Sequence, residues 1–130
     1  MIVVTLDTGA LVAMERQKQR GTMLLRAARE QRAQLLATTP VVAEWWRGRS
    51  DVRDRIMGSV TLVPFPVRAA EAAGVVLGKM AGERVRANLS VDVMVMAFAA
   101  IFGGALVYTS DVADLERIAP HFPGVRVLGV

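Results

Sequence analysis

The sequence contains no cysteine and a single histidine, His121, in 130 residues. Without thiols there is no disulfide, no thiolate metal site and no cysteine nucleophile, a composition that suits a reducing compartment. One histidine also excludes paired imidazoles, the usual means of cleaving RNA through a cyclic phosphate without a metal. Long hydrophobic runs are missing as well. The longest uncharged apolar stretch, Val93 to Tyr108, is broken by Gly103-Gly104 and falls short of the ~20 residues that a membrane-spanning helix needs. No basic segment precedes the first apolar stretch, and Asp7 interrupts it. Neither a signal nor a transit peptide is indicated, and the expectation is a cytoplasmic protein with no membrane contact.

What is present is enough for one domain over residues 1–130, because a chain of this size buries roughly two thirds of its unfolded surface. Apolar, β-rich segments alternate with helical ones. Strands are predicted over 2–6, 35–38, 60–63, 105–109 and 125–128. Between them the spacing predicts helices over 10–14, over 21–34, from Thr39-Pro40 to Gly48, over 51–57, over 66–80, from a cap at Ser90 to Phe102, and over 114–119. Residues 81–89 read as a basic loop. Such alternation predicts a parallel sheet of about five strands with helices on both faces, a three-layer α/β/α sandwich.

Four carboxylates fall where that architecture brings chain segments together. Asp7 follows the first strand and Asp111 the fourth, while Glu44 and Asp92 lie in or at the start of helices. Strand ends and adjacent helices converge on one crevice in open α/β sheets. Taken singly, each acid has a plain structural use. Asp7 and Asp111 are equally good N-caps, Asp92 suits a helix dipole, and a helical glutamate is usually exposed. Glu44, however, sits among Val41, Val42, Ala43, Trp45 and Trp46, which favours a buried or cleft-facing position. Asp114 stands three residues after Asp111, the spacing of a capping box, so it is either a cap or an auxiliary ligand. Taken together, four carboxylates in one crevice repel and raise one another's pKa unless a cation neutralises them. Mg²⁺ or Mn²⁺ fits, since both take oxygen ligands and keep open positions for water and a phosphate. Thr8, Thr109 and Ser110 are placed to orient the carboxylates or to hold a metal-bound water.

The charge balance agrees. With sixteen basic and twelve acidic residues, setting the four candidate ligands aside leaves sixteen positive charges against eight negative. A basic exterior around an acidic, metal-holding crevice suits a polyanion, although arginine also serves solubility alone. Arg47 and Arg49 after Glu44, with Arg84 and Arg86 before Asp92, are candidates for substrate phosphates and equally readable as solvated loop charges. Adjacent Trp45 and Trp46 point ~100° apart on a helix, so one is expected in the core and the other toward a partner or a base.

These segments, nearly end to end, resemble PIN-domain ribonucleases, and in particular the VapC toxins of bacterial toxin–antitoxin pairs. Val3-Val4-Thr5-Leu6-Asp7-Thr8-Gly9-Ala10-Leu11 is similar to the first motif of that family and Val42-Ala43-Glu44-Trp45-Trp46-Arg47-Gly48 to the second. Ser90-Val91-Asp92 is similar to the third, and Tyr108-Thr109-Ser110-Asp111-Val112-Ala113-Asp114-Leu115 to the fourth. The resemblance implies a PIN-like fold in which Asp7, Glu44, Asp92 and Asp111 hold one or two Mg²⁺ or Mn²⁺ ions, with Asp114 a less constant fifth acid. It implies endonucleolytic hydrolysis of RNA, whether tRNA, rRNA or mRNA, leaving a 5′-phosphate and a 3′-hydroxyl. It also implies a homodimer and a cognate VapB-like antitoxin that fills the site and, as a complex, represses its own operon.

Two other readings of similar size fail on single positions. A phosphoacceptor receiver needs an aspartate after the third strand, where Val63-Pro64-Phe65 stands. A haloacid-dehalogenase-like phosphatase needs one two residues after Asp7, where Gly9 stands. A non-catalytic PIN-like module that binds RNA or protein, and a DNA-directed nuclease, remain as alternatives. Loss of the ligands marks the first, and all four are present. Water as nucleophile makes the ribose 2′-OH dispensable, which keeps the second open.

Overall fold

A computed structural model describes residues 2–16, 19–47, 58–81 and 89–130. The elements are β1 (Val3–Leu6), α1 (Thr8–Glu15), α2 (Gln19–Glu30), β2 (Gln34–Thr38), α3 (Thr39–Trp46), β3 (Val60–Val63), α4 (Val67–Met80), α5 (Ser90–Ile101), β4 (Leu106–Thr109), α6 (Val112–Ile118) and β5 (Arg126–Gly129). All strand pairs are parallel, in the order β3-β2-β1-β4-β5. The chain lays β1, β2 and β3 in one direction, then returns to place β4 and β5 on the other side of β1. The strand order therefore reverses between β1 and β4, and the crevice outside the carboxyl ends of these two strands is where such folds hold their ligands.

Each segment has a local reason for its form. The β-branched run of β1 ends where the Asp7 side chain accepts a hydrogen bond from the Ala10 amide at 2.8 Å, which starts α1 at Thr8, two residues before the predicted start. Helix α2 stops at Glu30, short of the predicted 34, because Arg32 takes a positive φ of 54° and Gln34 is already paired with Val3. Pro40 lies in the first turn of α3, as predicted. Ser90 does not cap α5: it is the first helical residue, and the N-cap position is taken by Leu89, whose side chain has no polar atom. Helix α6 starts at Val112 rather than Asp114, capped by Asp111. The helix predicted over 51–57, Gly48 and most of the basic loop lie outside the described residues.

Alternation along the strands sorts side chains onto two faces. Ile2, Val4, Leu106, Tyr108 and Leu128 meet Leu24, Ala27 and Ala28 of α2 around a cavity of about 290 Å³. On the opposite face Val3 and Leu36 pack with Ala69 of α4 and Phe98 of α5. Helix α5 is buried on most sides, through Val93, Val95, Met96, Ala97, Phe98 and Ala99, as expected of a helix that is apolar around its circumference. The result is the predicted three-layer arrangement. Trp45 is 2 % exposed, whereas Trp46 is half-buried against it at a centroid distance of 6.2 Å, the division expected of adjacent helical residues. Among the described residues no helix is long and apolar enough to cross a membrane.

Candidate active site

Asp7 lies at the carboxyl end of the central strand, and its amide still donates to the Tyr108 carbonyl of β4 at 3.2 Å. Only 6 % of the residue is exposed. One carboxylate oxygen accepts from the Ala10 amide at 2.8 Å and the other accepts from the Thr109 hydroxyl. Thr109, fully buried, in turn accepts from the Asp111 amide at 2.9 Å. One hydroxyl thus ties together the loops after β1 and β4. Gly9 permits the approach: a Cβ there would overlap the Ser110 side chain. Ser110 itself is exposed and packs against the first turn of α1.

The other acids arrive from separate helices. Glu44 is exposed, not buried, but it is held toward the site because the Thr8 hydroxyl donates to its Oε1 at 2.6 Å. The apolar face of α3 instead goes inward through Val41 and Trp45. Asp92 occupies the first turn of α5 and is partly buried. Asp111 caps α6, accepting from the Asp114 amide at 3.2 Å. That is half of a capping box; the Asp111 amide is already engaged by Thr109, so Asp114 does not serve it and stays half-buried.

Electrostatics shows how closely the acids converge. The Asp7 carboxyl is pushed up from 3.8 to about 6, first by burial and then by the charges of Glu44 and Asp111, while the Thr109 and Ala10 hydrogen bonds oppose the rise. The Asp92 carboxyl is pushed up to about 7, again by burial first, then by Asp7, Glu44, Asp114 and Asp111. Asp92 thus lies within the electrostatic reach of the other four acids named from the sequence. Their donor chemistry, oxygen throughout, and their mutual repulsion at Asp7 and Asp92 fit a hard divalent cation. Among the described residues, however, no three such side chains are grouped so as to hold one ion. Asp7, Glu44 and Asp111 are each hydrogen-bonded to a nearby amide or hydroxyl.

Of the four candidate phosphate-binding arginines, Arg47 stands exposed just after α3, three residues from Glu44; Arg49, Arg84 and Arg86 lie outside the described residues. His121 is half-buried in a 3₁₀ turn after α6. One residue not singled out in the sequence belongs to the site by position. Register places Thr38, the last residue of β2, level with Asp7 on its other flank. The available signal was the matched ends of the first two apolar segments.

The sequence matches no known family model and no curated protein. The fold does have solved counterparts. The chain is similar to one in the crystal structure of VapBC2 from Rickettsia felis bound to a DNA fragment from their promoter. The TM-score is 0.78 and the identity 14 %, over 100 % of this chain and 99 % of that one. It is also similar to a chain of DNA-bound VapBC from Salmonella typhimurium, at TM-score 0.75 and 16 % identity, over 99 % and 98 % of the two chains. The fold expected from the sequence motifs is thus the fold found.

Proposed function

We propose that this chain is a VapC-like toxin: a Mg²⁺- or Mn²⁺-dependent endoribonuclease held in check by a cognate antitoxin. The observation that carries the reading is Asp7, buried at the reversal of strand order and raised by the charges of Glu44 and Asp111, with Asp92 close enough to feel Asp7, Glu44, Asp114 and Asp111. So many carboxylates around a buried one cost stability unless a cation or a cationic side chain offsets them. The match over whole chains to VapBC structures supports the same reading.

Asp7, Glu44, Asp92 and Asp111 would hold the metal, with Asp114 as auxiliary ligand. When bound, the ion supplies Lewis acidity toward a phosphoryl oxygen and lowers the pKa of water. The chain's own residues supply position. Thr109 fixes the Asp7 carboxylate and the Asp111 amide with one hydroxyl, and Thr8 holds Glu44. Arg47, exposed beside Glu44, is placed to draw in a phosphate. Hydrolysis would leave a 5′-phosphate and a 3′-hydroxyl. In the antitoxin complex a basic side chain would occupy the acidic crevice, and the complex would bind operator DNA; the Rickettsia felis VapBC2 is bound to a fragment of its promoter and the Salmonella typhimurium VapBC to DNA. A homodimer and a cytoplasmic location complete the proposal.

The test is incubation of the purified protein, freed of any copurified partner, with structured and single-stranded RNA in Mg²⁺ or Mn²⁺. EDTA and Asp7→Asn serve as controls. Cleavage lost in both controls is the expected outcome. No cleavage, together with no metal binding by calorimetry, would overturn the assignment in favour of a non-catalytic binding module; cleavage of DNA in preference to RNA would change the substrate.

A further inference from the structure

Thr38 is 0 % exposed, and among the described residues its hydroxyl has no hydrogen-bond partner. It is the N-cap residue of α3, where a threonine hydroxyl ordinarily accepts from a first-turn amide, yet it makes no such bond. Its neighbour Thr39 has a local use, accepting from the Phe65 amide at 3.1 Å. Where the Thr38 hydroxyl lies follows from register. Val3 pairs with Gln34 and Thr5 with Leu36, so Asp7 stands level with Thr38; Leu6 pairs with Tyr108, so Asp7 also stands level with Thr109. Level residues of adjacent strands share a face. Thr38, Asp7 and Thr109 therefore form a row across three strands, on the face that α5 covers. Thr109 donates to Asp7 from one side. Its counterpart on the other side is an unused donor and acceptor, and a buried hydroxyl without a partner costs stability.

We infer that Thr38 is a positioning residue of the site: its hydroxyl takes its partner when the site is loaded, either the Asp7 carboxylate or an oxygen ligand of the bound ion. The inference rests on the proposed metal-dependent activity. Thr5 provides an internal comparison, because its hydroxyl is likewise fully buried and unpartnered on the same face, one row further from the carboxylates.

The experiment compares Thr38→Val, Thr38→Ser and Thr5→Val with the wild type in thermal melts of metal-free protein, Mn²⁺ calorimetry and RNA-cleavage kinetics. For Thr38→Val the melting temperature should hold or rise, because an unsatisfied hydroxyl is removed. Mn²⁺ affinity should fall by ~10-fold, the scale on which groups that orient ligands act, and kcat should fall while KM stays near its original value. Thr38→Ser should keep affinity and rate. Thr5→Val should hold or raise the melting temperature and leave Mn²⁺ affinity unchanged. Wild-type Mn²⁺ affinity in Thr38→Val would overturn the inference, and so would a lower melting temperature or failure to fold, since either means that the hydroxyl serves the fold. A wild type that itself binds no Mn²⁺ would instead overturn the proposed function beneath it.

Discussion

Asp7 shows how one side chain can serve two ends that pull against each other. As an N-cap it needs only its oxygen atoms; as a buried anion it needs a countercharge. Asp7→Asn keeps the capping acceptor and the volume while discarding the charge, so cleavage should disappear while the melting temperature of the metal-free protein stays level or rises. A melting temperature that drops sharply would mean that the charge itself supports the fold. Thr109 makes the opposite case. It donates to Asp7 and accepts from the Asp111 amide, so Thr109→Val leaves a buried carboxylate and an amide each short of a partner. Urea denaturation should show a loss of ~1–3 kcal/mol. Replacing Thr38, by contrast, should cost the fold nothing. Two buried threonines flanking one aspartate are thus expected to differ in sign, because one hydroxyl is engaged and the other is not.

At the scale of elements, the site depends on how closely helix starts approach one another. The first turn of α1 touches the loop between β4 and α6 at Gly9 and Ser110, and it touches α3 through Thr8 and Glu44. Gly9→Ala places a methyl group against the Ser110 side chain, and a shift of that loop to make room carries Asp111 with it. The expected result is a protein that folds but binds Mn²⁺ at least several-fold more weakly, read by calorimetry. Unchanged affinity would show that the Ser110 side chain alone yields. Sequence periodicity located these elements well where they are strongly patterned, as in β1 and α5, and poorly at their ends. Helix α2 ended four residues early through the left-handed Arg32, and Ser90 proved a helical residue and not a cap. Ends are decided by single backbone conformations that periodicity does not encode.

For the whole molecule the consequence is a stability that depends on pH and metal together. The Asp7 and Asp92 carboxyls sit at about 6 and about 7 in the folded protein, against 3.8 for an ordinary aspartate. Between pH 4 and 7, roughly, the folded state therefore binds more protons than the unfolded one, so stability falls as pH rises through this window. The Asp7 shift alone corresponds to ~3 kcal/mol, shared in practice with its coupled neighbour. Metal-free protein should melt highest in mildly acidic buffer and lower at pH 8, and Mg²⁺ or Mn²⁺ should restore the loss at pH 8 while doing little at pH 5. A melting temperature that rises from pH 5 to 8 without metal would contradict this electrostatic picture. Away from the acids the surplus of basic side chains predicts RNA binding that weakens steeply with salt. A filter-binding assay with Asp7→Asn in Ca²⁺ should show affinity falling by more than ten-fold between 50 and 200 mM salt, roughly the span expected of a several-phosphate contact.

The alternation of strands and helices, hence a parallel sheet, and the standing of acids at segment ends are legible in the order of the residues. Both follow from local chemistry: β-branched runs, helical spacing and caps are written in neighbouring residues. What surrounds each acid is set by packing between distant segments. That Glu44 is exposed and steered by Thr8, that Asp111 is bound to its own helix, and that Thr38 lies unpartnered beside Asp7 depend on strand register and on helices packed from distant parts of the chain. Burial and charge act through space, so the raised carboxyls of Asp7 and Asp92 exist only once the sheet has brought those segments into one row.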